Sequence, residues 1–176
     1  MNTVNWQEIK KDLLELIPKL KDFREDDEIK NYLENIKEIK VYENNTIISV
    51  PETIKYLKNL EVLIIKHYLT CNELRILPDS IGELANLREL HIISCEYLLC
   101  IPESIEYLQE LRVLNLSENG NLSFLPDSIG KLKNLKVLNL RGCNQLKSLP
   151  ESICELENLK ELDLSGVDYD EMHTVY

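Results

Sequence analysis

The chain has 176 residues, a formal net charge of −11 at pH 7 and a hydrophobic fraction of 44%. This length and composition allow one domain with a buried core. The acidic balance argues against nucleic acid and anionic membrane as partners, because both favour surfaces rich in lysine and arginine. No run approaches the roughly 18 apolar residues of a membrane helix, and residues 1–23 lack the apolar core of a secretory leader, so we expect a cytoplasmic protein.

The first 35 residues are predicted to form an N-terminal helical cap. Apolar side chains recur at steps of three and four from Trp6 to Leu20, as on one face of a helix that Pro18 should end or kink. A second helix is expected after the acidic run at 26–28. Its apolar positions are Ile29, Leu33 and Ile36. The alternative is a helix that binds a membrane or a partner. We favour the cap, because the first repeat of an array would otherwise expose an apolar face.

From residue 36 onward the chain repeats one unit. Leu-Pro or a related pair starts at 50, 77, 101, 125 and 149, so the spacing is 27 once and 24 thereafter. A fixed period of this length indicates a repeat array. The array is predicted over 36–166, with repeat starts at 36, 60, 87, 111, 135 and 159. A three-residue insertion within 66–70 accounts for the longer spacing.

Each unit has two different halves. In the first half leucines alternate with polar residues, which predicts a short strand with one buried face. In the second half, as at Pro126, Ile129, Leu132 and Leu135, the apolar spacing changes to three. Proline, an acid directly after it and this spacing predict a short helix or 3₁₀ turn that begins at the proline.

The consensus LPxSIxxLxxLxxLxLxxC/NxxL resembles the leucine-rich repeat family, in particular repeats of plant resistance proteins and of intracellular Ras-group-related proteins. The resemblance implies an α/β solenoid, a curved stack with parallel strands on the concave face and short helices or 3₁₀ turns on the convex face. In this family one inward side chain per unit bonds to the backbone, and a buried backbone group needs such a partner. That ladder position holds Asn44, Cys71, Cys95, Asn119 and Cys143.

The cysteines and histidines suggest no catalytic or metal chemistry. The five cysteines are an odd number, and three occupy the ladder position, which favours buried thiols in a reducing compartment. No pair of them shows CxxC-type spacing with the tetrahedral closure that a zinc site would need. No histidine lies near a cysteine in a nucleophile signature, and no phosphate-binding glycine loop is present. We therefore expect no enzyme activity, no metal and no cofactor.

The outward side chains of the strands are the predicted binding site, because core packing does not explain them. They form three columns: Glu38, Val62, Glu89, Val113, Val137, Glu161; Lys40, Ile64, His91, Asn115, Asn139, Asp163; and Tyr42, Lys66, Ile93, Ser117, Arg141, Ser165. A contiguous apolar strip is expected from Val62, Ile64, Ile93, Val113 and Val137. The residues predicted to contact a protein partner are Tyr42, Val62, Ile64, Lys66, His91, Ile93, Val113, Asn115, Val137, Asn139 and Arg141. The alternative is that valine and isoleucine stand there for their strand propensity.

Two segments leave the repeat pattern. The insertion carries His67, Tyr68 and Leu69, and a loop of this kind either joins the binding side or is drift in a tolerant loop. Residues 167–176 form a polar C-terminal tail. Three alternatives stay open for the last strand. The tail covers it, the natural protein continues beyond it, or it pairs as an edge strand with a second copy and so supports weak self-association.

The sequence therefore predicts an intracellular protein-interaction module that binds a protein partner through its concave strand face. Two alternatives use the same surface. One is a delivered effector or immune-recognition module, which would act inside a host cell. The other is a regulatory subunit that inhibits or positions an enzyme.

Overall fold

The computed structural model describes residues 4–42, 49–67 and 73–167. Two helices come first, α1 (Trp6–Leu13) and α2 (Asp26–Asn35), with a 3₁₀ helix, Pro18–Asp22, between them. Six strands follow: β1 (Glu38–Tyr42), β2 (Val62–Lys66), β3 (Glu89–Ile93), β4 (Val113–Asn115), β5 (Val137–Asn139) and β6 (Glu161–Asp163). They form one sheet in chain order, and every neighbouring pair is parallel.

A 3₁₀ helix lies in each crossover between strands. These five helices are Glu52–Tyr56, Asp79–Glu83, Glu103–Tyr107, Asp127–Lys131 and Glu151–Glu155. A sheet of parallel strands in chain order, with a 3₁₀ helix in every crossover, is an α/β solenoid, so the predicted fold class is confirmed.

The core lies between the sheet and the 3₁₀ helices. The inward residues of β2, Leu63 and Ile65, are fully buried, whereas their neighbours Val62 and Ile64 are half-buried. The same alternation on β1 and β3 follows from the two-residue period of a strand. Buried leucine and isoleucine side chains from every coil join in one continuous core, so each coil is stabilised by its neighbours.

The prolines precede the 3₁₀ helices instead of beginning them. Pro78, for example, is the N-cap residue with an extended backbone, φ −71° and ψ 153°, and the helix begins at Asp79. The prediction of proline inside the helix was therefore wrong by one residue. The acid takes the first helical position, where the positive end of the peptide dipoles favours it. Each helix has five residues, and 3₁₀ geometry is used in short pieces of this kind.

Helix α1 is shorter than predicted. It ends at Leu13, well before Pro18, which instead lies at the start of the following 3₁₀ helix. Its N-cap is Asn5, whose Oδ1 accepts a hydrogen bond from the backbone N–H of Glu8 at 3.2 Å. The Trp6 ring packs edge-on against the Tyr56 ring, with centroids 5.7 Å apart. This contact seats α1 on the first 3₁₀ helix of the repeats.

Helix α2 begins inside the acidic run rather than after it. Its first residue is Asp26, and a capping box joins Glu25 and Glu28 at the N-terminus. Ile29 and Leu33 are buried as expected, but Ile36 lies beyond the last helical turn and is half-buried. At the other end of the sheet, β6 pairs with β5 alone within the described residues, and Leu162 is 39% exposed.

Candidate functional site

The register of the sheet brings the predicted columns together. In the first column Val62 pairs with Glu38 and Glu89, and Val113 pairs with Glu89 and Val137. The second column follows the same order, since β1 to β6 are aligned without a slip. We call the outward surface of the six strands, with Arg141 just after β5, the strand face. It places eleven predicted binding residues on one side of the solenoid.

Most side chains of the strand face are half-buried by their neighbours. This holds for Val62, Ile64, Lys66, His91, Ile93, Val113, Asn115, Val137 and Asn139, while Tyr42 is 48% exposed and Arg141 is exposed. The valine and isoleucine side chains of the strand face are therefore accessible to a partner, and they are not part of the buried core. Exposed apolar groups on one face of a protein often mark an interaction surface.

The apolar strip was predicted to be contiguous, and that prediction was wrong. On β3, Glu89 lies between Val62 of β2 and Val113 of β4. His91 lies between Ile64 of β2 and Asn115 of β4. The His91 Nε2 and the Glu89 Oε2 are 3.3 Å apart. A polar pair thus divides the apolar surface into two parts, and a partner must satisfy that pair as well as cover the apolar groups.

Two predicted contact residues also have a structural task. The side-chain Oδ1 of Asn115 accepts a hydrogen bond from the backbone N–H of Ser117, and that of Asn139 from Arg141, each at 3.0 Å. Such side-chain bonds two residues ahead stabilise the turn that leaves a strand. These asparagines therefore shape the edge of the strand face, and part of their polar capacity is used within the chain.

The insertion divides into a described and an undescribed part. Lys66 ends β2, and the backbone N–H of His67 donates to the Ile93 carbonyl at 3.1 Å. The His67 side chain is only 7% exposed, and its Nε2 has no hydrogen-bond partner among the described residues. This histidine, predicted as an accessible loop residue, is packed against the interior. Tyr68 and Leu69 lie outside the described residues.

Burial lowers the pKa of His67, because the protonated ring would lose its hydration. The unfolded chain, with a histidine pKa near 6.5, therefore binds the proton more readily than the folded chain. The stability that neutral His67 provides is complete above that pH and is lost as pH falls through the lower pKa of the folded state.

We expect His67→Gln to reduce the loss of stability as pH falls from about 6.5, the pKa of histidine in the unfolded chain, towards the lower pKa of the folded state. The measurement is the free energy of unfolding from urea titrations at several pH values. His91→Gln, at a half-buried position, is the matched control for the removal of a histidine. An unchanged pH dependence in His67→Gln would show that another group controls it.

The ladder position works as the resemblance implies. Asn119 is fully buried; its Oδ1 accepts from the Cys95 N–H, and its Nδ2 donates to the Ile92 and Leu116 carbonyls, each at 2.7 Å. The Cys143 thiol occupies the same position and contacts the Leu116 carbonyl at 3.1 Å. Burial raises the pKa of Cys143 to about 11, so the thiolate that a nucleophile needs is scarce at neutral pH. Asn44 and Cys71 lie outside the described residues.

Metal-holding groups and membrane-spanning helices were sought in the ranges 4–42, 49–67 and 73–167. Within them no three His, Cys, Asp or Glu side chains are grouped so that they could hold a metal ion. None of the described helices combines the length and apolar character needed to cross a membrane.

A second group of exposed apolar residues lies beyond the strand ends, and it was not among the sequence predictions. Ile76 is 59% exposed, Tyr97 42%, Leu99 46% and Phe124 51%. A signal was available: the residue two positions before each proline is serine in the first and fifth coils (Ser49 and Ser148) but isoleucine, cysteine or phenylalanine in the three coils between.

Comparison with known proteins gives one family. The sequence profile described as Leucine rich repeat matches residues 92–146 and 109–167. None of the curated proteins matches the chain significantly.

Three solved structures illustrate the similarity. A leucine-rich repeat protein of Leptospira interrogans is 32% identical, with a TM-score of 0.44, over 77% of this chain and 44% of that one. The ectodomain of the receptor kinase GASSHO1/SCHENGEN3 of Arabidopsis thaliana, in complex with Casparian strip integrity factor 2, is 25% identical, with a TM-score of 0.50, over 75% and 18%. The ectodomain of SOBIR1, also from Arabidopsis thaliana, is 23% identical, with a TM-score of 0.54, over 75% and 67%.

The chain thus spans less than half the length of the first two of these proteins. The fold is nevertheless the same as in the two Arabidopsis ectodomains. The recurring unit, the parallel sheet in chain order, the Asn119 hydrogen bonds and the matching profile lead to one conclusion: this chain is a leucine-rich repeat protein.

Proposed function

We propose that the chain is a protein-interaction module that binds a protein partner through the strand face. The observation that carries the proposal is the row of half-buried valine and isoleucine side chains on strands whose core-facing positions are already filled by other residues. Burying such groups under a partner removes apolar surface from water, at roughly 25 cal/mol per Å². The solved complex of the GASSHO1/SCHENGEN3 ectodomain with Casparian strip integrity factor 2 supports protein binding by a repeat array of this fold.

The centre of the proposed contact lies on β2 and β3. Ile64 pairs in register with Lys40 and His91, and Ile93 pairs with Lys66. Each isoleucine therefore has a basic or ionisable side chain beside it. A partner with apolar groups at the centre and carboxylates around them would satisfy both kinds of group, since the rim of a protein interface is polar.

We further propose that binding takes place in a reducing, intracellular compartment. The odd number of cysteines and the use of Cys95 and Cys143 as buried ladder residues support this part of the proposal.

The double variant Ile64→Glu/Ile93→Glu should weaken partner binding by at least about 30-fold, because two central apolar contacts would become buried carboxylates. The partner is captured on the immobilised wild-type chain from a lysate of the source organism, and its affinity for each variant is then measured. Hydrogen exchange of the complex should show protection in β2 to β5.

Tyr107→Glu is the matched control, since Tyr107 is 64% exposed on a 3₁₀ helix on the far side of the core. It introduces one carboxylate, as each substitution of the double variant does, and should leave the affinity unchanged. Equal binding by the double variant and the wild type, with both thermal transitions intact, would eliminate the strand face as the binding site.

A further inference from the structure

A second apolar surface lies on the side of the solenoid, between the strand ends and the 3₁₀ helices. We call Ile76, Tyr97, Leu99 and Phe124 the lateral patch. Ile76 forms a parallel bridge with Cys100 of the next coil. The backbone N–H of Leu99 donates to the Arg75 carbonyl at 2.9 Å, and that of Ser123 to the Leu99 carbonyl at 3.3 Å. These bonds align three successive coils, so the four apolar side chains project from adjoining backbone segments.

The lateral patch is confined to those three coils. Along the column that contains Ile76, Cys100 and Phe124, the first coil has Ser49 and the fifth has Ser148. The column that contains Leu99 has the exposed Lys147 in the fifth coil. Core packing explains none of these choices, because the side chains are 42–59% exposed. An exposed apolar patch with a polar boundary is typical of an interaction surface.

A row of carboxylates runs along one flank of the patch. Asp79, Glu103 and Asp127 are exposed and each follows the column residue of its own coil by three positions. None of the ion pairs within the described residues includes them. The Glu103 Oε2 accepts one backbone hydrogen bond, from the N–H of Ser128 at 3.3 Å. Arg75 precedes Ile76, and its guanidinium lies over the Tyr97 ring, 5.8 Å from the ring centroid.

The charges beside the lateral patch indicate which kind of partner it fits. A second copy of the chain would bring another net charge of −11 against the carboxylate row and would be repelled. A segment with an apolar stripe beside lysine or arginine residues would bury the patch and neutralise the row. Successive coils are about 4.8 Å apart, as neighbouring strands are, and one turn of an α-helix rises about 5.4 Å. A helix laid across the coils therefore presents one apolar side chain to each coil.

We propose that the lateral patch docks a basic amphipathic helix of a partner protein, separately from the strand face. The apolar stripe of the helix covers Ile76, Leu99 and Phe124 over about two turns. Its basic side chains pair with Asp79, Glu103 and Asp127 on one flank. The attraction to the carboxylate row is screened by salt, whereas burial of the apolar stripe is much less sensitive to it.

A synthetic peptide of leucine and lysine, about four helical turns long with leucines on one face, is a direct probe. Its affinity is measured by fluorescence anisotropy against the whole chain. Cys100 lies within the patch and is partly exposed, so bound peptide should slow its alkylation by iodoacetamide, while the exposed Cys154 keeps its rate. A peptide with glutamate in place of lysine should not bind.

Leu99→Ser/Phe124→Ser should weaken peptide binding by about tenfold or more and remove the protection of Cys100. Asp79→Asn/Asp127→Asn should weaken it and flatten its salt dependence, and neither pair affects buried residues. Tyr107→Ser and the strand-face variant Ile64→Glu/Ile93→Glu should bind the peptide as the wild type does, which separates this site from the proposed function. Full binding by the serine double variant, equal binding of the glutamate peptide, or a dimer that the serine variant dissociates would each overturn the proposal.

Discussion

Replacing Asn119 with alanine should lower the free energy of unfolding by about 4 kcal/mol, measured by urea denaturation. The Asn119 side chain is fully buried and makes three hydrogen bonds of 2.7 Å to the backbone, two of them to the preceding coil at Cys95 and Ile92. Alanine leaves a buried N–H and two carbonyls without that partner, and each such group costs about 1–3 kcal/mol. This is the largest effect that we expect from one polar substitution.

Two further variants separate hydrogen bonding from simple loss of volume. Asn119→Cys should cost less, about 2 kcal/mol, because a thiol already fits the ladder at Cys143 but makes a weaker hydrogen bond. Asn121→Ala, at an exposed position two residues on, should change stability by less than about 0.5 kcal/mol. If Asn119→Ala is no more destabilising than Asn121→Ala, the ladder contributes little to the coupling between coils.

Gly130→Ala should destabilise the fold by about 2 kcal/mol, in the range found for overpacking of a close contact. A Cβ atom at this position would lie 2.4 Å from the Ser152 carbonyl oxygen and 2.7 Å from the Ser152 Cβ. The clash is with backbone, so it is relieved only by moving the 3₁₀ helix Glu151–Glu155 away from Asp127–Lys131. Glu106 stands at the equivalent position one coil earlier, which indicates that such a displacement is tolerated without unfolding.

Gly120→Ala is the matched control for this prediction. An added Cβ at Gly120 meets no atom within 4 Å, so its stability should stay within about 0.5 kcal/mol of the wild type. The thermal transition of both variants provides the comparison. Equal transition temperatures for the two alanine variants would mean that the last two coils are more loosely packed than the 2.4 Å approach implies.

The amino-acid sequence determined the solenoid. The coils before the last bury equivalent positions, such as Leu114 and Leu138, so the 24-residue spacing directly predicts parallel strands in chain order and the columns of the strand face. The resemblance to leucine-rich repeats also implied the inward ladder, in which Asn119 and Cys143 bond to the backbone. Helix ends were less predictable: the apolar positions of residues 6–20 continue through the end of α1 at Leu13, since buried turns use the same residue types.

Only the tertiary structure decided which apolar residues face solvent. Leu98 is fully buried and Leu99 is 46% exposed, yet the two are adjacent and chemically identical. Local packing likewise turned His67 inward, although the sequence placed it in the insertion within 66–70. Exposure depends on how neighbouring coils cover each side chain. The period of the sequence indicates which residues can be buried. The packing of neighbouring coils determines which of those residues are buried.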